Sequence, residues 1–181
     1  KEGNQKGTYT PGMDILAKQT IFAEGARGHL GKKLIKEFNL DKGKTPQHFA
    51  IGFKEVWEVD NDKHSPGDVV HSMGWPLKGG TSGGGFLYHF DNNRIAVGLI
   101  VDLNYSNPSH SPFQEFQQFK QHPSIKQYLE SGKRVSYGAR AITKGGINSL
   151  VKMEFDVGMI VGCDAGTLNP CNIKGSHCAL Q

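Results

Sequence analysis

Residues 83–103 read GGGFLYHFDNNRIAVGLIVDL, and this stretch decides the fold of the middle of the chain. Aromatic residues occupy every second position from Phe86 to Phe90, and apolar residues do the same from Ile95 to Leu103. Because successive side chains of a strand point to opposite faces, both halves predict strands with one covered face. The linking residues Asp91–Arg94 are typical of a hairpin turn, so the two strands are expected to run antiparallel.

The sequence on either side extends this sheet and adds helices to it. Alternating apolar residues predict a long strand over Phe49–Val59 and another over Arg134–Ile142. Ser111–Gln114 reads SPFQ, a capping box with proline at the first helical position, and Pro123 breaks the helical pattern that follows. Residues 45–150 are therefore expected to form an antiparallel sheet with helices packed on it.

The two ends of the chain follow a different pattern. Near the start, the β-prone run Thr20–Ala23 meets a glycine turn and then an amphipathic helical pattern over Leu30–Phe38. Near the end, a short strand over Met159–Cys163 runs into the turn Asp164–Gly166, and a helix is expected to open at Gly175. Strand, turn and helix in this order are typical of α/β nucleotide domains.

These patterns together predict an α+β fold. Residues 1–44 and 151–181 would be two α/β pieces of one domain, and residues 45–150 would be inserted between them. The polar segment Lys42–Gln47 marks the first crossover.

Composition narrows the class of protein. Hydrophobic residues make up 36% and charged residues 21% of 181 residues, and the hydrophobic runs are regularly spaced, so disorder is excluded. The net charge is +4, but the lysines are scattered, which argues against nucleic acid and allows a mild attraction to anionic membranes. No apolar run approaches 18 residues. The chain begins with Lys1 rather than Met, which suggests a piece of something longer.

Common hydrolytic and metal motifs are absent from the sequence. It contains no G-x-G-x-x-G after a strand, no phosphate-binding P-loop, no G-x-S-x-G and no H-E-x-x-H, so no catalytic residue is predicted. Cys163, Cys171 and Cys178 fit neither a disulfide framework nor a common zinc or iron–sulfur spacing. They are interpreted as small thiols in a reducing compartment, and no metal site is predicted.

Three glycine-rich segments are candidates for ligand contact, since glycine lets backbone approach a ligand closely. The first is AEGARG at 23–28, which otherwise is an ordinary strand-to-helix turn. The second pairs VGCDAG at 161–166 with KGSH at 174–177, where a carboxylate and a helix start meet; otherwise it is a βα unit with a polar cap. The third is 74–88, where Trp75, Phe86 and Leu87 would flank a flat apolar ring, or which is simply a flexible hairpin loop.

More specific motifs surround these glycines. They are GWPL at 74–77, FLYH at 86–89, NYSNP at 104–108, SPFQEF at 111–116, GKR at 132–134, YGARA at 137–141 and IVGCDAGTLN at 160–169. In this order, and over nearly the whole chain, they resemble the electron-transfer-flavoprotein–ubiquinone oxidoreductase family. The resemblance implies a glutathione-reductase-like flavoprotein fragment with part of the FAD-binding domain at each end and the ubiquinone-binding domain between.

The resemblance also implies site residues. Gly83 and Gly84 match a glycine pair whose backbone meets the quinone oxygen. Seven residues match the family's FAD-contacting segments. Gly25, Arg27 and Gly28 belong to a segment that lines FAD. Asp164 and Gly166 match the motif on the ribityl side, and Gly175 and Ser176 open the helix aimed at the flavin ring. The chain departs from the family pattern at 170–173 and 178–181, which leaves the loop shape there and the tuning of the flavin open.

The implied activity is electron transfer from reduced electron-transferring flavoprotein, through a four-iron–four-sulfur cluster and FAD, to ubiquinone at a membrane surface. The cluster ligands are expected outside these residues, and so is the dinucleotide glycine motif. The implied location is the matrix side of the mitochondrial inner membrane or the cytoplasmic side of a bacterial membrane. The chain alone is expected to be inactive. Another FAD-dependent oxidoreductase of the same fold, or a non-catalytic module that docks on a membrane or partner, are the alternatives.

Overall fold

The computed structural model describes residues 5–169 and 174–180, which form two sheets and four helices. The strands are β1 (Thr20–Phe22), β2 (Phe49–Glu58), β3 (Val69–Met73), β4 (Gly83–Phe90), β5 (Arg94–Asp102), β6 (Lys133–Thr143), β7 (Glu154–Phe155) and β8 (Gly158–Ile160). The helices are α1 (His29–Glu37), α2 (Pro112–Lys120), α3 (Pro123–Leu129) and α4 (Ser176–Leu180). The α+β expectation is confirmed.

The larger sheet is antiparallel, with strand order β3-β4-β5-β2-β6. The hairpin turn between β4 and β5 uses Asn92 and Asn93 at φ 61° and 55°, the left-handed pair that matches the twist of two adjoining strands. Helices α2 and α3 cover one face, where Phe116 and Phe119 pack on Leu87, Val97 and other buried residues of the strands. The opposite face carries no helix among the described residues.

Local sequence explains where the helices begin. Ser111 caps α2 by accepting a hydrogen bond from the Gln114 backbone N–H at 3.4 Å, as the capping box predicts. Pro123 begins α3 after a short break, and the His122 ring accepts a hydrogen bond from the Ser124 N–H at 3.3 Å.

The smaller sheet joins the two ends of the chain. Strand β1 pairs in parallel with β8, and β7 pairs antiparallel with β8, giving the order β1-β8-β7. Leu40, Ile160 and Ala165 are buried between this sheet and α1. The predicted strand over Met159–Cys163 is wrong in its second half, because a 3₁₀ turn begins at Gly162, whose φ of 66° ends extended backbone.

Two further features of the larger sheet were not predicted. Strand β3 was missed, because VVHSM mixes apolar and polar residues without a clean alternation. Strand β4 begins at Gly83, so the three glycines 83–85 belong to the sheet rather than to a loop.

Candidate functional site

A cavity of about 440 Å³ lies where the two sheets meet. Arg27, Asp164 and Gln47 line it together with Phe49 and Thr143, which face each other at the ends of β2 and β6. The size falls in the range of small-molecule sites in proteins.

The two chain segments that connect the sheets, around Gln47 and around Ser149, form one wall of this cavity. The Gln47 side-chain oxygen accepts a hydrogen bond from the Gly145 N–H at 2.6 Å. The Ser149 hydroxyl donates to the Pro46 carbonyl at 3.0 Å, and the Lys144 N–H donates to the His48 carbonyl at 2.7 Å. The outgoing and returning segments are therefore fixed side by side.

Two carboxylates meet at the start of α1. One Glu24 oxygen accepts hydrogen bonds from the Leu30 and Gly31 N–H groups, at 2.7 and 2.9 Å. The Glu24 N–H in turn donates to Asp164 at 3.4 Å. Helix N-termini favour negative charge, because their first N–H groups have no partner within the helix. Backbone N–H groups of Glu24, Leu30 and Gly31 therefore hold two acidic side chains next to the start of α1.

These two carboxyl groups differ in acidity. The Gly31 hydrogen bond lowers the pKa of Glu24, although desolvation opposes it, so Glu24 is a carboxylate near neutral pH. Burial raises the pKa of Asp164, and the charge of Glu24 adds to that effect. Asp164 is only 8% exposed, and it points at a cavity that offers a polar ligand an acceptor.

Glycine is required beside Asp164 for steric reasons. A Cβ atom on Gly28 would lie 2.6 Å from an Asp164 carboxylate oxygen, and a Cβ on Gly31 would collide with the same carboxylate. Gly166 has φ 92°, and a Cβ there would collide with the Gln47 amide. The backbone around Asp164 is thus packed closely enough to exclude side chains.

The first glycine segment contributes a cation to the cavity. Gly25 and Arg27 have φ values of 84° and 60°, which turn the backbone between β1 and α1. The Arg27 guanidinium carbon lies 5.4 Å from the centre of the Phe49 ring, a cation–π contact across the two sheets. Arg27 and Asp164 therefore line the same cavity.

Arg27 and Asp164 thus line the cavity. Gly28 packs against Asp164, and Gly166 packs against Gln47. Gly175 and Ser176 lie elsewhere, at the start of α4, which contacts the 162–164 turn through Ala179 and Gly162. Neither residue lines the cavity. Cys163 and Cys178 are half-buried free thiols, and Cys171 falls outside the described residues.

Sequence reasoning missed three residues of this site. Thr143 is 3% exposed, lines the cavity, and its hydroxyl has no hydrogen-bond partner among the described residues. Buried hydroxyls are normally paired, so this one is available to a ligand. Glu24 contacts Asp164 and Gln47 contacts Gly145, and both partners are distant in the sequence. Of the two, only Glu24 gave a signal in the sequence, as an acidic residue within the glycine-rich segment before α1.

The glycine pair expected to meet the quinone lies in a different place. Gly83 and Gly84 are the first residues of β4 and do not line the cavity. A Cβ on Gly83 would collide with the Ile100 carbonyl of β5, and one on Gly84 would lie 2.6 Å from the Ser72 carbonyl of β3. Close approach of three strands is by itself enough to require glycine at both positions.

The predicted ring slot needs one correction. Leu87 is 1% exposed and belongs to the core under the helices, whereas Phe86 lies on the opposite face of β4. Neighbouring residues of a strand cannot flank the same ring, so Leu87 is not part of a slot. Trp75 is half exposed, with its ring 5.0 Å from His122, and Phe86 shares a face with Gly84 and Met73.

Residues 5–169 and 174–180 contain neither a cluster of metal-ligating side chains nor a membrane-spanning helix. No group of three or more His, Cys, Asp or Glu residues there is placed to hold a metal ion. The whole sequence has three cysteines, fewer than the four thiolates of a typical iron–sulfur cluster. These residues therefore do not fit such a cluster. No helix in these ranges is long and apolar enough to cross a bilayer.

Comparison with known proteins identifies the family. The model of the family "ETF-QO, ubiquinone-binding" matches residues 49–142, more than half of the chain and nearly all of β2 to β6. The chain belongs to this ubiquinone-binding family. Residues 49–142 lie within the segment predicted for that domain from the sequence.

Bacterial and mitochondrial relatives are similar to this chain over its whole length, beyond the residues that the ETF-QO family model matches. Over the whole chain, 62% of residues are identical to the electron transfer flavoprotein-ubiquinone oxidoreductase of Pseudomonas aeruginosa, and 48% to the mitochondrial protein of Homo sapiens. The chain spans 33% and 30% of those two proteins. It thus covers about a third of the length of the curated relatives it matches.

Solved structures support the fold. A geranylgeranyl bacteriochlorophyll reductase-like protein from Thermoplasma acidophilum superposes with a TM-score of 0.65 at 17% identity, covering 91% of this chain and 38% of that one. The flavin-dependent brominase Bmp2 superposes with a TM-score of 0.61 at 13% identity, covering 95% and 42%. At such identities the likeness shows a shared fold and nothing about the substrate.

Proposed function

We propose that this chain is the quinone-binding part, together with a share of the FAD site, of an electron transfer flavoprotein–ubiquinone oxidoreductase. The whole protein would pass electrons from reduced electron-transferring flavoprotein, through an iron–sulfur cluster held elsewhere and FAD, to ubiquinone at a membrane surface. The family match over β2 to β6 carries this proposal. Relatives that bear this name match the chain from end to end, which supports the wider role.

The cavity between the sheets fits part of an FAD. Asp164 offers an acceptor for a sugar-like hydroxyl, and Arg27 offers a cation for an electron-rich group. The Thr143 hydroxyl supplies a buried donor or acceptor that nothing in the described chain uses. Gly28 and Gly31 leave room for the Asp164 carboxylate, so the fold itself holds this side chain in position without a ligand.

FAD, when bound, supplies the capacity to accept and release electrons, and the protein's contribution is placement and electrostatics. We assign Asp164 to holding the cofactor, Arg27 and Phe49 to forming the wall of the cavity against it, and Thr143 to hydrogen bonding with it. Gly25, Gly166, Gly175 and Ser176 remain proposed backbone contacts. No step is assigned to a protein nucleophile, because electron transfer to a quinone needs none.

The quinone is assigned to the face of the larger sheet that bears Gly84. Met73 lies directly opposite Gly84 on β3, Ile100 lies opposite it on β5, and Phe86 is the next residue of β4 on that face. Three apolar side chains thus surround a position without a side chain, which suits a flat ring. Backbone groups at Gly83 and Gly84 would hold its oxygen.

Flavin retention tests this assignment. In the full-length protein that contains this chain, Asp164→Ala should weaken FAD binding by about 10- to 100-fold, because a hydrogen bond to a charged group is lost. The flavin absorbance that remains after dialysis is the measurement. Asp62→Ala is the matched control, since Asp62 is exposed on a 3₁₀ turn of the larger domain. Equal flavin content in the two variants would count against the site.

A further inference from the structure

A largely buried ion pair lies at the end of β5, on the face of the larger sheet that bears Gly84. The Lys144 ammonium donates hydrogen bonds to both carboxylate oxygens of Asp102, each at 2.6 Å. Asp102 is 9% exposed, and the Lys144 side chain is 31% exposed. The Asp102 N–H donates to the Ser82 carbonyl at 2.9 Å, and the Lys144 ammonium reaches the Ser82 hydroxyl at 3.5 Å. Ser82, Asp102 and Lys144 thus form one polar cluster.

The polar cluster adjoins the position assigned to the quinone. Ser82 is the residue that precedes Gly83 in the chain. Ile100 pairs with Gly84, and Asp102 is the next residue of β5 on the same face. Two residues of a strand span roughly 7 Å, so the cluster is an immediate neighbour of the glycine pair.

The same cluster adjoins the cavity assigned to FAD. Thr143 lines that cavity, and Lys144 is the next residue of the chain. The Lys144 N–H donates to the His48 carbonyl at 2.7 Å, which fixes its backbone against the segment that enters β2. One short segment therefore connects the proposed positions of the cofactor and the quinone.

Stability gives little reason for a charged pair at this place. Two charges lose hydration on burial, and a buried ion pair is often no more stabilising than well-packed apolar residues. The neighbours of Asp102 on this face are apolar, with Ile100 on its own strand and Ala50 opposite it on β2. The Lys144 ammonium brings to this face three N–H groups, which apolar side chains do not supply. A group that can give up a proton therefore lies beside a substrate whose reduction consumes protons.

We propose that Lys144 supplies a proton, through the Ser82 hydroxyl, to the quinone oxygen held at Gly83–Gly84. Reduction of a quinone to a quinol takes up two electrons and two protons, and the electrons are those of the proposed function, on which this inference rests. The Ser82 O–H bond breaks as an O–H bond forms on the quinone, and Ser82 regains a proton from the ammonium. Water returns a proton to the partly exposed lysine and protonates the second quinone oxygen. Asp102 positions the ammonium.

An arginine at position 144 separates proton transfer from electrostatics. In the full-length protein that contains this chain, Lys144→Arg keeps a cation beside Asp102, but a guanidinium does not release its proton. Ubiquinone reduction should fall by about 10- to 100-fold, because water replaces a positioned acid. Reduction of ferricyanide, which accepts an electron without a proton, should keep its wild-type rate. Lys126→Arg, at an exposed lysine of α3, is the matched control and should change neither rate. Unchanged ubiquinone reduction in Lys144→Arg would overturn the proposal.

Chemical rescue tests the proton itself. Lys144→Ala leaves room for a small amine beside Asp102, so methylammonium should restore at least about a tenth of the lost ubiquinone reduction. Tetramethylammonium carries the same charge without an N–H group and should restore none. Equal rescue by the two cations would show that only charge is needed, and it would overturn the proposal. Circular dichroism and urea unfolding show whether the variant keeps the wild-type fold.

Binding of a short-chain ubiquinone separates this proposal from the function on which it rests. Ser82→Ala leaves the ion pair intact, so this variant and Lys144→Arg should both bind the quinone with a Kd within about twofold of the wild type, while both reduce it slowly. Absence of quinone binding by the wild type would overturn the function and the proton path together. Normal binding with normal reduction in both variants would overturn the proton path alone. Loss of binding in both would assign the cluster to holding the quinone, and the proton path would again be wrong.

Discussion

At the scale of single residues, the cavity contains polar groups that a folded protein would not need for its own stability. Asp164 is buried with a raised pKa, and the Thr143 hydroxyl is buried without a partner among the described residues. Both arrangements cost free energy of folding, since buried polar groups lose their hydration. They are expected where a ligand restores the missing interactions.

Replacing Thr143 by valine separates stability from binding. Thr143→Val removes an unpaired hydroxyl with little change of shape, so the free energy of unfolding should rise by about 1–2 kcal/mol. FAD retention by the full-length protein should fall by about 2- to 10-fold, the value of one hydrogen bond. Urea unfolding and dialysis measure the two effects. A drop in stability would mean that the hydroxyl is paired in solution.

At the scale of elements, the opening of β4 is closely packed between its two neighbouring strands. Gly83 and Gly84 lie so close to the backbones of β5 and β3 that no side chain fits. Loss of quinone reduction in a valine variant at either position would therefore not distinguish a quinone contact from a distorted sheet. Met73, which is exposed on the same face, is the better position for probing the quinone.

Alanine substitutions measure that constraint. Gly83→Ala and Gly84→Ala should each lower the free energy of unfolding by at least about 2 kcal/mol, because strands β3 to β5 must move apart. Gly138→Ala is the control within the same sheet, since a Cβ there meets nothing within 4 Å, and it should raise the free energy of unfolding by about 0.4–1 kcal/mol. Urea denaturation of the three variants gives the comparison, and similar values for all three would refute the crowding at β4.

A histidine in β4 links the sheet to the loop before β3. The His89 Nδ1 accepts a hydrogen bond from the Ser65 N–H at 3.1 Å, which requires a neutral ring. Burial lowers the pKa of His89, the nearby His64 ring lowers it further, and Asp68 opposes them. The stabilisation is therefore complete above the ordinary value of 6.5 and is lost as the pH falls through the lower pKa of the folded state.

The stability of the chain should accordingly fall below pH 6.5, by no more than about 1.4 kcal/mol per pH unit from this residue. Urea unfolding at a series of pH values measures the slope. His89→Gln removes the titration, so the difference in slope between this variant and the wild type isolates the histidine. Parallel slopes would show that His89 does not titrate differently in the folded chain.

The elements also show how far sequence reasoning reaches. Strands β2, β4, β5 and β6 and helices α1 to α3 were predicted because period and capping are local signals. Strand β3 was missed, because an edge that is exposed on both faces has no alternation to detect. The contacts of Thr143, Gln47 and Glu24 join residues far apart in the chain, so only a structure brings them together. The quinone contacts stay a prediction.

At the scale of the whole molecule, two sheets are joined by the paired crossings around Gln47 and Gly145. The Gln47 side chain accepts two backbone hydrogen bonds, from its neighbour His48 and from Gly145 at 2.6 Å. Its amide also fills the space beside Gly166. One side chain therefore ties both crossings to the turn that carries Asp164.

Loss of the Gln47 hydrogen bonds should lower the local stability of the smaller sheet. Gln47→Ala leaves the Gly145 N–H unpaired, which should cost about 1–3 kcal/mol. Amide hydrogen exchange should accelerate in β1 and β8, whereas β2 and β5 should keep their wild-type protection, because their own ladder is untouched. Gln127→Ala, a change on the exposed surface of α3, serves as the control. Equal acceleration in all four strands would refute this division.

The pairing of β1 with β8 has a consequence for biosynthesis. Glu24 and Asp164 meet although 140 positions separate them, and the whole larger sheet, strands β2 to β6, lies between them in the sequence. At ribosomal rates the early segment waits roughly ten to thirty seconds for its partner to be translated. During that interval β1 lacks its partner strand β8, and Phe22 and Leu34 lack Ile160 and Ala165 to pack on, so nascent polypeptide halted before residue 158 should be a preferred client of chaperones.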